Sequence, residues 1–428
     1  MANLSDLIAQ STSDNPQKLV NLALATQMMG SGSGGSGSGL GGTNYIFVKG
    51  DGTPEENAIE LQEAYDTAKT MPIYRGLLSG INTFYIDQTF ESSENNLFYR
   101  VISNYTGEVS EVIDFAVQVT EEEAKSVHTT VVVAPGQYKF GETAFIVDTP
   151  YINIVSLTGN SDVILNSDEN KSGREVGINV TANNVYLKGL DCGANSFTVG
   201  NYLNTLVCEN CIGGDYSFGG AGTASGTFSY CTGGNNSFGG YGTASGTFDY
   251  CTGGDYSFGG DEGTASGTFT NCSGGNNSFG GDGGTASGTF SYCTGGNNSF
   301  GGYGGTASGT FSYCTGGNNS FGGYGTASGT FDYCTGGDYS FGGDEGTASG
   351  TFTNCSGGNN SFGGDGGTAS GTFTNCSGGN NSFGGGGAIA STARLYYCRL
   401  NSGTFGTPEA GGKLVLCIDG NDAVVTTS

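Results

Sequence analysis

A cysteine returns every 20 to 22 residues through the second half of this chain, at Cys211, Cys231, Cys251, Cys272, Cys293, Cys314, Cys334, Cys355, Cys376 and Cys398. A period this strict has to be tested as a solenoid before any other fold. Its surroundings are as regular. Phe228, Phe248, Phe269, Phe290, Phe311, Phe331, Phe352 and Phe373 each stand three residues before a cysteine, and Phe218, Phe238, Phe258, Phe279, Phe300, Phe321, Phe341, Phe362 and Phe383 stand seven after one. The three-residue spacing persists where the text no longer looks repetitive, in Leu187/Leu190, Cys208/Cys211, Leu395/Cys398 and Leu414/Cys417. The period therefore belongs to the fold. The unchanged recurrence of residues 231–290 as 314–373 is later tandem copying within it.

Length varies at one place in the repeat, between "SF" and "TASGTF", where GGAG, GGYG, GGYGG, GGDGG and GGDEG alternate. A disordered linker has no reason to confine its insertions; a coil with one outward turn does. Composition agrees: 83 glycines are accompanied by only 6 prolines, and aromatics make up 11%, which fits neither collagen nor a disordered tract.

A rung of about 20–21 residues, with three short strands and glycine bends, suits an all-β, right-handed parallel β-helix. Its rungs would stack ~4.8 Å apart, about twelve of them in a rod. The interior ladders are expected to be Phe228, Cys231, Phe238, Phe248, Cys251, Phe258, Phe269, Cys272 and Phe279, with Ala224, Ala244 and Ala265. Tyr230 alternates with Asn271, and Asn277 with Tyr256, as exposed positions do. Parity raises one difficulty. Phe228 and Cys231 are three apart, so both face inward only if a bend or bulge lies between them.

Ahead of the repeat, residues 1–29 read as a helical anchor or attachment peptide and 30–43 as a Gly/Ser linker. Residues 44–72 give an opening strand and capping helix, with Thr53 as N-cap, Pro54 at the first helical position and Glu56 completing a capping box. Residues 73–128 read as an inserted β-rich subdomain, 129–210 as the first irregular rungs, 211–397 as the Gly-rich rungs, and 398–428 as terminal rungs and a C-terminal cap. Met1-Ala-Asn-Leu-Ser offers no basic-then-apolar export signal, so synthesis in the cytosol is expected. No run of 18 apolar residues suggests membrane insertion. The net charge of −26, with no Lys or Arg from Gly189 to Ala393, argues against nucleic acid as a partner. The 13 cysteines are an odd number, so a complete internal disulfide framework is excluded.

"VKGDGTPEENAIELQEA", "VVVAPGQYKF" and "INVTANNVYLKGL" together resemble the opening segment of pectate-lyase-like β-helix proteins of the phage and viral tail-spike or fibre type, over roughly 44–70 and 129–200. That resemblance implies a homotrimeric surface fibre on a virion, made in the host cytoplasm. It would be joined to a virion attachment protein through residues 1–29 and would contact a host-surface polysaccharide or receptor. A polysaccharide depolymerase on the same scaffold and a cellular adhesin or surface-layer protein are the alternatives. The fold itself is silent on activity.

No catalytic motif emerges. Asp261/Glu262, their copies Asp344/Glu345, and Asp282, Asp365, Asp249 and Asp332 supply carboxylates, but in duplicated turns, where solvated residues are expected rather than a paired glycosidase site. "GGDGGT" and "GGDEGT" resemble the calcium turns of RTX repeats, which makes Asp261, Glu262, Asp344 and Glu345 the calcium candidates; no other cofactor is expected. The RTX period is nine, however, and not 20–21. The cysteine ladder reads as small apolar filling rather than a zinc site. Hydroxyl rows such as Thr223, Ser225 and Thr227 suit solubility, sugar contact or ice contact. "NNS" at Asn235, Asn276 and Asn297 matches a glycosylation sequon but is expected to form side-chain ladders or turn hydrogen bonds. His128 is assigned no role.

Overall fold

The computed structural model describes residues 44–70, 74–76, 84–92, 97–104, 115–119, 129–168, 170–171, 174–220 and 222–427. The anchor and linker expected at 1–43, and His128, lie outside them. The chain divides into two units, one running to Tyr138 and including Tyr151–Val163, the other comprising Lys139–Pro150 and everything from Ile164.

In the first unit, strand β1 (Asn44–Val48) leads through Gly50, at φ +61°, into helix α1 (Pro54–Thr70). Gly50 is required there, because a Cβ would sit 2.3 Å from the Tyr138 hydroxyl oxygen, which itself donates to Ala134 O at 2.7 Å. The capping box is formed: Glu56 N–H donates to Thr53 Oγ1 (3.3 Å) and Thr53 N–H donates to Glu56 Oε2 (2.9 Å). The Thr53 backbone N–H, then its hydroxyl, hold the Glu56 carboxyl below its ordinary value. A carboxyl lowered in the fold stabilises it above the unfolded pKa and loses that contribution as pH falls through the folded one. Thr53→Ala is therefore expected to lower the melting point by a few degrees at pH 7 and by less at pH 3, read by calorimetry.

The apolar face of α1, comprising Ala58, Leu61, Ala64, Tyr65 and Ala68, is buried where the helix packs on β1 and on the strands Thr129–Val133 and Ile152–Ser156. β1 pairs in parallel with Thr129–Val133, which pairs in parallel with Ile152–Ser156. Between α1 and Thr129, strands Tyr74–Gly76, Phe84–Ser92, Leu97–Asn104 and Phe115–Val119 form an antiparallel sheet in that order.

The second unit is a parallel β-solenoid with about 21 residues per rung. One rung shows how the sequence makes a coil. Cys231 points inward and Thr232 makes a single β-bridge to the next rung at Thr252. Gly233 and Gly234 turn the chain, Asn236 and Phe238 take left-handed φ values of +55° and +53°, and Ser237 and Phe238 turn into the core. Thr243–Ala244 then joins a ten-stranded parallel sheet. After a bend at Gly246, Thr247–Asp249 joins a second parallel sheet, which stacks one strand per rung from Tyr186–Lys188 to Lys413–Val415. Tyr250, at φ +50°, closes the rung ahead of Cys251.

That last conformation resolves the parity difficulty. A left-handed residue between Phe248 and Cys251 rotates the chain so that both side chains enter the core. The same holds at Tyr230, Asn271, Tyr292, Tyr313, Tyr333, Asn354, Asn375 and Tyr397, all with φ of 51–55°.

The core is two phenylalanine columns. Phe258, Phe279 and Phe300 stack at 4.7–4.8 Å between ring centroids, within 3° of parallel. Phe269 and Phe290 do the same at 4.8 Å. The columns meet edge to face, as Phe279 meets Phe290 at 6.0 Å and 89°, which is the arrangement the ring quadrupole favours. The antiparallel pairing of Cys417–Ile418 with Val424–Val425 covers the edge that Cys417–Ile418 would otherwise present.

Candidate binding faces of the coil

Interior columns fill the section between the sheets. All 13 cysteines are buried and unpaired. Each rung's thiol points at a carbonyl of the rung before it, as Cys251 Sγ does at Phe228 O (3.3 Å) and Cys272 Sγ at Phe248 O (3.4 Å). Burial pushes the Cys231, Cys251 and Cys293 thiols up, so they are neutral weak donors. The expected result with a water-soluble disulfide reagent is no reaction of the native coil and release of thirteen equivalents after denaturation. Reaction of native thiols at the rate of the denatured ones would contradict the buried column.

The serine of "SF" was not singled out by sequence. It is fully buried in every repeat: Ser257 Oγ–H donates to Gly234 O (3.4 Å) and Ser257 N–H donates to Ser278 Oγ (3.4 Å). The residue two before it builds a third polar column. Asn235 N–H donates to Asp215 Oδ1 (2.7 Å), Asp255 N–H to Asn235 Oδ1 (2.9 Å) and Asn276 N–H to Asp255 Oδ1 (2.7 Å), continuing to Asn380. Asparagines separate Asp215, Asp255 and Asp338, so like charges never face each other at one rung's distance. The "NNS" sequons are thus ladder elements, and the serine of each is inaccessible. Asn236, in the column expected to be exposed, is 7% exposed, because the glycine turn at Gly240 closes over it.

The acidic candidates lie on the variable outward turns. Asp261 and Glu262 of one rung neighbour Asp282 of the next, where Glu262 N–H donates to Asp282 O (2.7 Å); Glu345 N–H donates to Asp365 O (2.9 Å) in the copy. Partial burial, then Asp282 and Glu262, push the Asp261 carboxyl up. Partial burial and Glu262 do the same to Asp282. Among the described residues, no three or more His, Cys, Asp or Glu side chains converge as a metal site. Asp249 and Asp332 stand apart from these turns, on the outward side of the sheet that carries Phe248 and Phe331.

The most repetitive exposed feature is aromatic. The corner residue before each cysteine forms an outward column: Tyr230, Tyr250, Asn271, Tyr292, Tyr313, Tyr333, Asn354, Asn375, Tyr397. Its tyrosines stack, Tyr230 on Tyr250 at 5.0 Å, Tyr292 on Tyr313 at 5.0 Å and Tyr313 on Tyr333 at 4.8 Å, within 7° of parallel. Exposed threonines and serines run alongside, including Thr252, Ser273 and Thr294. No protein-family model, curated protein or solved structure matches the chain.

Proposed function

We propose that the chain is the β-helical part of a fibre or spike, in a virus or phage, that engages a host surface. The observation that carries this reading is the identity of successive rungs. Two phenylalanine columns, a thiol column and a serine column repeat without interruption, so copying rungs lengthens the coil without redesigning its core. That is what a spacer or display rod requires. The tail-spike resemblance extends the proposal to a homotrimer on the virion surface, attached through residues 1–29, with a host polysaccharide or receptor as partner.

Two measurements test it. Immunogold labelling with an antibody against "GGNNSFGG" should decorate virus particles; decoration of cell envelopes instead would make the protein an adhesin or surface-layer component. Light scattering should give three times the 43.3 kDa chain mass, and a monomer would remove the trimer from the proposal. A depolymerase reading has one observation in its favour, the gathering of Asp261, Glu262 and Asp282 on neighbouring turns, where partial burial and the neighbouring carboxylates push the Asp261 and Asp282 carboxyls up. Release of reducing ends from host polysaccharide, lost in Asp261→Asn, would establish it.

A further inference from the structure

The parallel sheet that runs the length of the coil ends at Lys413–Val415, and there the chain supplies its own substitute for a further rung. Along the coil, each rung passes the same outward backbone groups to the next. Gly371 O accepts Arg394 N–H (3.0 Å), and Ala393 O accepts Lys413 N–H (3.0 Å). Asn375 N–H donates to Tyr396 O (2.9 Å), and Tyr397 N–H donates to Val415 O (3.0 Å). At the end of the sheet those places fall to Gly412 O and Leu416 N–H. Gly412 O accepts the Thr427 hydroxyl (3.3 Å), and Leu416 N–H donates to Thr426 Oγ1 (3.2 Å). Between them, Leu414 N–H donates to Thr427 Oγ1 (2.9 Å) and Leu414 O accepts Thr427 N–H (3.0 Å). Two threonines thus occupy a strand-docking edge, largely through their hydroxyls.

The segment that does this is lightly held. Asp419 turns the chain back towards the edge, its Oδ1 accepting Asn421 N–H and Ala423 N–H, both at 2.9 Å. From Asn421 to Thr427 no residue is buried, and Val424 is 65% exposed. The segment's ion pair, Arg399 with Asp422 at 2.9 Å, lies in solvent, where such pairs contribute little. Every rung before it is anchored by core side chains; this strap has hydrogen bonds and no core anchor. Segments of that kind open locally at low cost, and an opened sheet edge is a template for another strand.

Charge chooses the occupant. From Gly189 to Ala393 the coil carries acidic residues and no Lys or Arg, so two copies repel along their sides. Beyond Ala393, Arg394, Arg399 and Lys413 balance Glu409, Asp419 and Asp422, and two copies can meet there without that repulsion. A sheet edge that meets its own copy pairs antiparallel about a two-fold axis, which here sets Leu414 opposite Leu414. We propose that Val424–Thr427 is a self-blocking strap, and that displacing it lets Lys413–Val415 pair end to end with a second copy of this chain. Leu416, 52% exposed beside the edge, supplies the apolar contact. The pairing does not depend on the viral reading.

Deletion of residues 424–428 tests this, read by light scattering. The truncated chain should reach twice the parent's mass as concentration rises, with the parent's circular dichroism. Its Leu414 and Leu416 amides should exchange slowly in the doubled species and fast on dilution. Thr426→Val/Thr427→Val removes both hydroxyls and leaves the strap's backbone in place. It should shift the mass in the same direction, which keeps the test decisive if the truncated chain fails to fold. Lys413→Glu in the truncated chain turns the end acidic and should restore the parent mass. Parent mass in both strap variants would overturn the proposal, and so would doubling that survives Lys413→Glu. Each readout is a ratio to the parent, so it holds whether the parent is a monomer or a trimer.

Discussion

Gly309→Ala is expected to cost more than about 4 kcal/mol, while Gly304→Ala, five residues earlier in the same rung, should cost about 1 kcal/mol. Chemical denaturation of the two variants reads the difference. Gly304 has φ +71° and open space where its Cβ would go, so alanine there suffers only the left-handed penalty. Gly309 is different. A Cβ on it would lie 2.2 Å from Gly288 O, the carbonyl that accepts Thr310 N–H at 3.0 Å. The methyl group cannot move aside, because the ladders on both sides fix the rung spacing. Gly246, Gly267, Gly288, Gly329, Gly350 and Gly371 repeat the contact at 2.1–2.2 Å. Glycine is therefore a packing element here, letting one backbone approach the next, and its abundance does not mean flexibility. Similar costs for the two variants would show that the rungs can part locally.

What the sequence made legible follows from what repeats in apolar residues. The cysteine period gave the rung, and Phe228, Cys231 and Phe238 are fully buried as their spacing required. The fold class was readable for the same reason: a nearly invariant period with variation confined to one turn has few physical realisations. The left-handed corner was legible only as a need, some bend between Phe228 and Cys231, since propensity gives no warning that tyrosine would adopt it. The buried serines were not legible. A serine column satisfies itself with backbone groups of neighbouring rungs, as Ser257 does with Gly234 and Ser278, and no single rung contains that partner. The Asx ladder was foreseen as a possibility in "NNS", but its direction, side chain to the next rung's N–H, depends on stacking.

Phe300→Ala should cost about 4 kcal/mol and, beyond that, divide the unfolding of the coil into two transitions. Phe300 stacks on Phe279 and Phe321 at 4.8 Å and meets Phe290 and Phe311 edge-on at 5.6 and 6.0 Å. Truncation leaves a void walled by four rings in neighbouring rungs, and these are held in place by their own stacks and cannot collapse into it. Phe300→Leu keeps most of the volume and should cost less than half as much. In a solenoid each rung is stabilised mainly by its neighbours, so one weakened interface uncouples the segments on either side. Hydrogen exchange should then show protection falling around 279–321 while distant rungs keep theirs. A single transition of unchanged steepness would mean that the strand ladders alone carry cooperativity along the coil. A split transition would place it in the phenylalanine columns, making their unbroken run the physical basis for a stiff rod that can be lengthened by copying.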